Sequence, residues 1–409
     1  MANPWVRRRR LLPVIALIGF LAVAPYHSPA DDTTGKSAAI REGMQKFVDQ
    51  GEIAGVVTVV GRKDAIVSLD AVGSLTAEGT EPMPKNALFR IASMTKPITA
   101  IGIMILVDEG KLSIDDPVAK HLPEFRGQML VDGRTKETVT LKKPTRAITL
   151  RDLLTHTSGL PGQFPEGLSD LYARRKLTLA EAVMAFSQRP LDFEPGSKWA
   201  YCNPGIDTLG RVIEVVSGKP YEAFLQERIF GPLEMVDTTF YPSNAQLQRV
   251  TPTYDKKDGK LIRPPSSIIG PPKGARYPIP AGGLYSTGAD LAKLYQMMLG
   301  RGTRGQARIL SPESVSTMTS VHTGDLTAGF TPGTGFGLGW AVVKTPTGVT
   351  ETLSPGSYGH GGAFGTQGWI DPQKDMFIVL LIQRVGMGNS DASKMRQELQ
   401  RLAVASLPK

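Results

Sequence analysis

The strongest constraint on this chain is where its strand-forming sequence lies. Two runs rich in β-branched residues stand near the N-terminus, at residues 54–61 and 65–72, with a turn at Arg62-Lys63-Asp64. Three more stand near the C-terminus, at residues 336–343, 365–370 and 375–383. Exposed strand edges must be paired or covered, so a single sheet drawn from both ends of the chain is the economical solution. Everything between must then leave the sheet and return. That sequence is mostly helical in period, at residues 95–112, 150–155, 178–187 and 207–217. Helical runs at residues 36–50, 289–299 and 392–405 are available to cover the sheet. The pattern predicts an α/β fold: an antiparallel sheet flanked by helices, discontinuous in sequence, with an inserted mostly helical domain. The predicted boundaries are residues 31–95 and 280–409 for the sheet domain and 96–279 for the helical domain. Residues 126–147 read as a polar hairpin or loop, residues 251–280 as surface loop, and Asp371-Pro372-Gln373-Lys374 as a turn between the last two strands.

Residues 1–30 read as a signal peptide outside the fold. Arg7 to Arg10 form a basic start, residues 11–24 are apolar, and Ser28-Pro29-Ala30 offers small residues for cleavage after Ala30. The apolar run is shorter than the roughly 20 residues of a spanning helix. Arg8 to Leu12 also fits a twin-arginine signal. The expectation is a periplasmic or secreted protein with no stable membrane span after cleavage. Cleavage would remove four Arg and no acid, so the formal charge falls from +9 to +5. No aromatic interleaving or recognisable module accompanies the remaining basicity, so a nucleic-acid partner is not expected. Cys202 is the single cysteine, which excludes an intrachain disulfide and is compatible with export.

Three segments carry chemistry. Ser93-Met94-Thr95-Lys96 opens the helical run at residues 95–112, and positions i and i+3 share a helix face, so hydroxyl and ammonium can meet. A serine needs a base to become a nucleophile. A lysine serves only when burial or nearby positive charge lowers its pKa, and Phe89, Ile91, Met94, Pro97 and Ile98 offer a dry seat. A second S-x-x-K match, residues 406–409, stands at the chain terminus and is set aside. Tyr201-Cys202-Asn203 is the only Y-x-N. A phenol beside an ammonium can be held partly ionised and act as general base, while Asn203 can donate to a substrate carbonyl and order the lysine. The same residues also read as a buried tyrosine followed by an N-cap asparagine with Pro204 at N1. In His360-Gly361-Gly362-Ala363 the glycines let backbone approach a ligand closely, and the Ala363 and Ser93 N–H groups would make an oxyanion hole. Alone, this segment also reads as a tight turn before a strand.

Together, in this order, the three segments resemble the serine β-lactamase-like family, in the branch that holds class C β-lactamases, D-alanyl-D-alanine carboxypeptidases and family VIII carboxylesterases. The resemblance covers nearly the whole chain after residue 30 and is carried also by residues 89–96, 153–160, 193–196, 280–287 and 358–362. It implies the β-lactamase/transpeptidase-like fold and a serine hydrolase working through an acyl-enzyme. Ser93 would be the nucleophile, Lys96 and Tyr201 the base pair, and Asn203, His360, Gly361 and Gly362 substrate contacts. His360-Gly361-Gly362 takes the place of the family's Lys-Thr-Gly box. It implies a small-molecule ester or amide substrate and no cofactor or metal.

Two departures matter. Histidine replaces the box lysine and glycine the box hydroxyl, the groups that hold a substrate carboxylate; a histidine near its own pKa is a weaker cation. This favours a carboxylesterase on short acyl esters, with β-lactamase or D-Ala-D-Ala carboxypeptidase or D-aminopeptidase activity as the alternative. A literal His322-Thr323-Gly324 precedes a Gly/Thr/Pro-rich loop and not a strand, and is discounted. Cys202 stands where relatives carry a small residue and reads as buried filler; as a nucleophile it would need a close histidine. The G-x-S-x-G of α/β-hydrolases is missing, residues 333–339 fit neither dinucleotide nor P-loop spacing, and the scattered histidines fit no zinc pattern. His156 reads as structural. A non-catalytic cell-wall-binding protein on the same fold is the alternative from a different class.

Overall fold

The two ends of the chain meet in one sheet. The structure is a computed structural model that describes residue 1, residues 33–264 and residues 270–407; beyond Met1, the predicted signal peptide lies outside the described residues. Helix α1 (Thr33–Asp49) leads into strands β1 (Gly55–Gly61) and β2 (Ile66–Gly73). Five strands close the chain: β3 (Thr334–Phe336), β4 (Ala341–Val343), β5 (Tyr358–Gly361), β6 (Gln367–Asp371) and β7 (Met376–Leu381). The seven pair antiparallel in the order β3-β4-β5-β6-β7-β1-β2. The seam between the chain ends is β1 against β7, with Val57 opposite Leu381 and Val59 opposite Val379.

The side-chain period of two explains why β1 and β7 are buried throughout and, Thr58 apart, apolar. Val56 and Val60 of β1 and Ile378 and Leu380 of β7 join a core with Ile40 and Met44 of α1 and Met395 and Leu399 of the C-terminal helix α5 (Lys394–Ser406). The alternate residues Val57, Val59, Phe377, Val379 and Leu381 join the larger core beneath helix α4 (Gly288–Leu299). Both sheet faces are therefore covered, and alternation of apolar with polar residues is not needed.

From β2 the chain reaches helix α2 (Thr95–Asp108), whose residues Thr95 to Leu106 are all buried. A helix apolar all round belongs inside a protein, and α2 packs on α3 (Asn203–Ser217). Residues 130–142 form the polar hairpin, Leu130–Arg134 against Val139–Lys142.

Three local readings change. Residues 336–343 are not one strand: Gly339, at φ +79°, turns them into the β3–β4 hairpin. His360 and Gly361 are not a turn before a strand but the end of β5 itself. Helix α3 begins at Asn203, and its N-cap is Cys202, not Asn203: Cys202 Sγ accepts the Gly205 N–H at 3.3 Å. No described helix is long and apolar enough to cross a membrane.

Candidate active site

Ser93 stands at the entry of α2, on a short 3₁₀ turn Ala92–Met94. Ala92 holds φ +47°, a left-handed conformation that disfavours a side chain. Surrounding bonds hold it there. Thr95 Oγ1 donates to the Ala92 carbonyl at 2.7 Å, and Ile91 N–H donates to Leu284 at 3.0 Å. From the other side, Thr366 Oγ1 donates to the Ile91 carbonyl at 3.2 Å. Gly362 makes this approach possible, since a Cβ there would stand 2.5 Å from that carbonyl. The turn after β5 closes through Gly362 N–H to Thr366 at 2.8 Å and Gly365 N–H to Gly362 at 2.9 Å. Ala363 follows Gly362 in this turn, and neither of the turn's two bonds uses its N–H.

Lys96 lies one helical turn on and is fully buried. Its Nζ is 3.0 Å from Ser93 Oγ, donates to the Ala281 carbonyl at 2.6 Å and stands 4.7 Å from the centre of the Tyr201 ring. Burial drives its pKa down, to about 7, against the opposing pull of Asp207 and the Cys202 thiol. The amine is thus available as a base near neutral pH.

The same dry surroundings act oppositely on Tyr201. Burial pushes the phenol up, partly offset by its hydrogen bond with Ser93. Burial therefore disfavours the partly ionised phenol expected from the sequence and holds it protonated, and the amine of Lys96 is the group of the pair that burial frees to act as a base. His156 seats the tyrosine. Its Nδ1 accepts the Cys202 N–H at 3.2 Å, its carbonyl accepts the Ala200 N–H at 2.9 Å, and its ring lies 4.6 Å from that of Tyr201. So a histidine does stand close to Cys202, but it holds the backbone. The thiol is buried and pushed up to about 12, which leaves it un-ionised and a poor nucleophile.

His360 reaches the same cluster, with its ring 6.1 Å from Tyr201. Burial first, then the Lys96 charge, push its imidazole down to about 3. It is neutral at pH 7, not a weakened cation as the sequence suggested. Gly361 is bare for a steric reason. A Cβ built on it would collide with Asp391 Oδ1 and stand 2.5 Å from Gln367 Nε2. Asn203 Oδ1 and the Nε2 atoms of His156 and His360 are buried with no partner among the described residues. His322-Thr323-Gly324 is held by other partners, not by Ser93, Lys96 or Tyr201. His322 binds Arg151 and the Thr317 carbonyl, both at 2.8 Å, and Thr323 Oγ1 accepts the Phe336 N–H.

Sequence reasoning missed Asp207, a buried carboxylate on α3. It accepts from Tyr172 at 2.7 Å, from Tyr277, and from the Ala281 N–H at 2.8 Å. Ala281 therefore links Asp207 to Lys96 through its own N–H and carbonyl. The available signal was an acid among Ile206, Leu209, Val212 and Ile213, the apolar face of its helix.

Among the described residues no group of three or more His, Cys, Asp or Glu is arranged to hold a metal ion. Such an arrangement can supply a serine nucleophile, an internal base and a group to carry its proton, which is serine hydrolase chemistry. Comparison with known proteins agrees with it. Residues 38–403 match the family model for Beta-lactamase. Protein Rv1367c of Mycobacterium tuberculosis is 34% identical over 365 residues, covering 85% of this chain and 89% of that protein. Esterase EstB of Burkholderia gladioli is 29% identical over 387 residues, covering 88% and 93%. Among solved structures, EstCE1, described as a hydrolase with promiscuous acyltransferase activity, superposes with a TM-score of 0.75 at 25% identity, covering 92% of this chain and 99% of its own. The chain belongs to the β-lactamase family and is a serine hydrolase of that family.

Proposed function

We propose that this protein is a carboxylesterase acting on short acyl esters, exported and cleaved after Ala30. Ser93 Oγ attacks the ester carbonyl as its proton passes to the Lys96 amine. The Ser93 and Ala363 N–H groups receive the oxyanion, and Asn203 contacts the substrate. The carbonyl–alkoxy bond then breaks, and the alcohol leaves with a proton delivered through Tyr201. Water repeats the sequence on the acyl-enzyme and releases the acid. The observation that carries the ester reading is the box: His360 is neutral and Gly361 carries no hydroxyl. Neither grips the carboxylate that a penicillin or a D-Ala-D-Ala peptide presents, and an ester needs no such grip. The esterase relative supports the same reading.

The test compares kcat/KM for p-nitrophenyl butyrate, a chromogenic cephalosporin and a D-Ala-D-Ala peptide. The ester should lead, and a peptide or cephalosporin preference would overturn the assignment. Ser93→Ala should abolish ester turnover and labelling by a covalent serine probe; full turnover by that variant would exclude the acyl-enzyme. N-terminal sequencing of periplasmic or secreted material should begin at Asp31.

A further inference from the structure

The space beside Gly361 is filled by a carboxylate. Asp391 belongs to the segment that leads into α5, and its Oδ1 occupies the volume a box side chain would need. It accepts from Gln367 Nε2 at 3.3 Å, and its neighbour Ser390 reaches the Gly362 carbonyl at 3.5 Å. Asp391 is half-buried as a residue, and burial pushes its carboxyl up while the Arg396 charge and the Gln367 hydrogen bond pull it down. Arg396 itself is fully buried over the Trp369 ring and donates to the Asp391 main-chain carbonyl, so of the two only Asp391 reaches the surface. The same segment holds an exposed aromatic in place. Asn389 Nδ2 donates to the Phe330 carbonyl at 2.7 Å, and the Phe330 ring, 42% exposed, stands 4.9 Å from Tyr201 and 5.6 Å from Trp199.

A carboxylate and an exposed aromatic face on one rim attract a cation and repel an anion. Tyr201, the proton carrier to the leaving alcohol, lies against Phe330, so this rim borders the leaving group. We propose that Asp391 and Phe330 form a leaving-group subsite that selects by charge: ammonium-bearing alcohols first, neutral ones next, carboxylate-bearing ones last. The inference rests on the ester reading above and adds the substrate's charge to it.

The test uses three acetates of one phenol framework: 3-acetoxyphenyl-trimethylammonium, 3-acetoxybenzamide and 3-acetoxybenzoate. Each kcat/KM is divided by that ester's own hydroxide rate. At low salt the cationic ester should exceed the anionic one by about 100-fold, roughly tenfold per unit of charge, and the ratio should shrink in 0.5 M NaCl. Asp391→Asn should cut the ratio to about tenfold or less. Phe330→Ala, at an exposed position, should slow the cationic ester about threefold relative to the neutral one. A wild-type ratio near one, or a ratio unchanged by salt and by Asp391→Asn, overturns the inference while leaving the ester reading intact. No turnover of the neutral acetate by the wild type overturns both. If Asp391→Asn does not fold, the wild-type ratio, its salt dependence and Phe330→Ala still decide.

Discussion

Gly361→Ala tests whether Asp391 and Gln367 occupy the place of a box side chain. The new Cβ would overlap Asp391 Oδ1 and stand 2.5 Å from Gln367 Nε2, whereas ordinary contact begins at 3.4 Å. Both groups must retreat by about 1 Å. That retreat strains three hydrogen bonds: Gln367 Nε2 to Asp391 and to the Ser390 carbonyl, both at 3.3 Å, and Trp369 Nε1 to Gln367 Oε1 at 3.0 Å. Each contributes about 1 kcal/mol, and forced overpacking costs about 1–3 kcal/mol. Since strain and bond loss overlap, the expected destabilisation is about 2–4 kcal/mol. Asp391→Ala removes the main obstruction, so Gly361→Ala should cost clearly less in that background, with an interaction energy of at least ~1 kcal/mol. Urea denaturation followed by tryptophan fluorescence, run on the four proteins of the cycle, measures it. A single-variant cost below about 0.5 kcal/mol, or additivity within about 0.5 kcal/mol, would refute the steric account. The same geometry predicts that Gly361→Thr alone gains no cephalosporin turnover. The hydroxyl can be housed only together with Asp391→Ala, and that double variant is where a gain should appear.

Lys96 governs the acid side of the rate profile. Because the free amine is the base and burial lowers its pKa to about 7, kcat/KM for a neutral ester should rise with pH below that value and level off above it. Lys96→Arg, whose guanidinium keeps its proton, should lose about 10²–10⁴ in kcat/KM with no recovery up to pH 9. Tyr201 is pushed up by burial, so the wild-type profile should show no basic limb from the phenol below pH 9, while Tyr201→Phe should lose at least about 10² in kcat. Cys202→Ser keeps an N-cap acceptor and should leave ester turnover within about twofold, whereas Cys202→Ala should cost about 1 kcal/mol in urea denaturation. With its thiol pushed up to about 12, Cys202 should resist iodoacetamide at pH 7.5; rapid labelling of the folded protein would contradict that burial.

What the sequence disclosed is what local spacing encodes. Ser93 and Lys96 are one helical turn apart, so their meeting at 3.0 Å, across the 3₁₀ entry to α2, was suggested by their spacing. The strands β1 and β7 announced themselves because burial on both faces favours near-continuous apolar runs, interrupted in β1 only by Thr58. Strand β5 was hidden, since Tyr358-Gly359-His360-Gly361 has little strand propensity and is extended because β4 and β6 pair with it on either side. The Cys202 cap was misread because a thiol is an unusual N-cap acceptor beside an asparagine that caps well. His156 was read as structural, and it holds the backbone at Cys202 and Ala200. Asp207 and Asp391 were out of reach for another reason: their partners Tyr277 and Gly361 lie 70 and 30 positions away in the chain, and only the fold brings them together.

One physical cause organises the charges of the site. Removing water penalises whichever form of a group is charged. At Lys96 and His360 that form is the cation, and both are driven down; at Tyr201 it is the anion, and the phenol is driven up. A single dry pocket therefore moves an amine, an imidazole and a phenol toward their neutral forms near neutral pH. That is what a proton relay needs, since each member must exchange a proton without stabilising one charge state strongly. The consequence for recognition is that the catalytic groups contribute little fixed charge to a substrate. The charge a substrate meets is then set at the rim by Asp391, a half-buried residue. Chemistry and selectivity are thus divided by solvent exposure: the buried groups move protons, and a half-buried aspartate sorts substrates. If that division holds, raising the salt should compress the charge preference of the enzyme while leaving the pH at which Lys96 titrates in kcat/KM for the neutral ester within about 0.3 of its low-salt value.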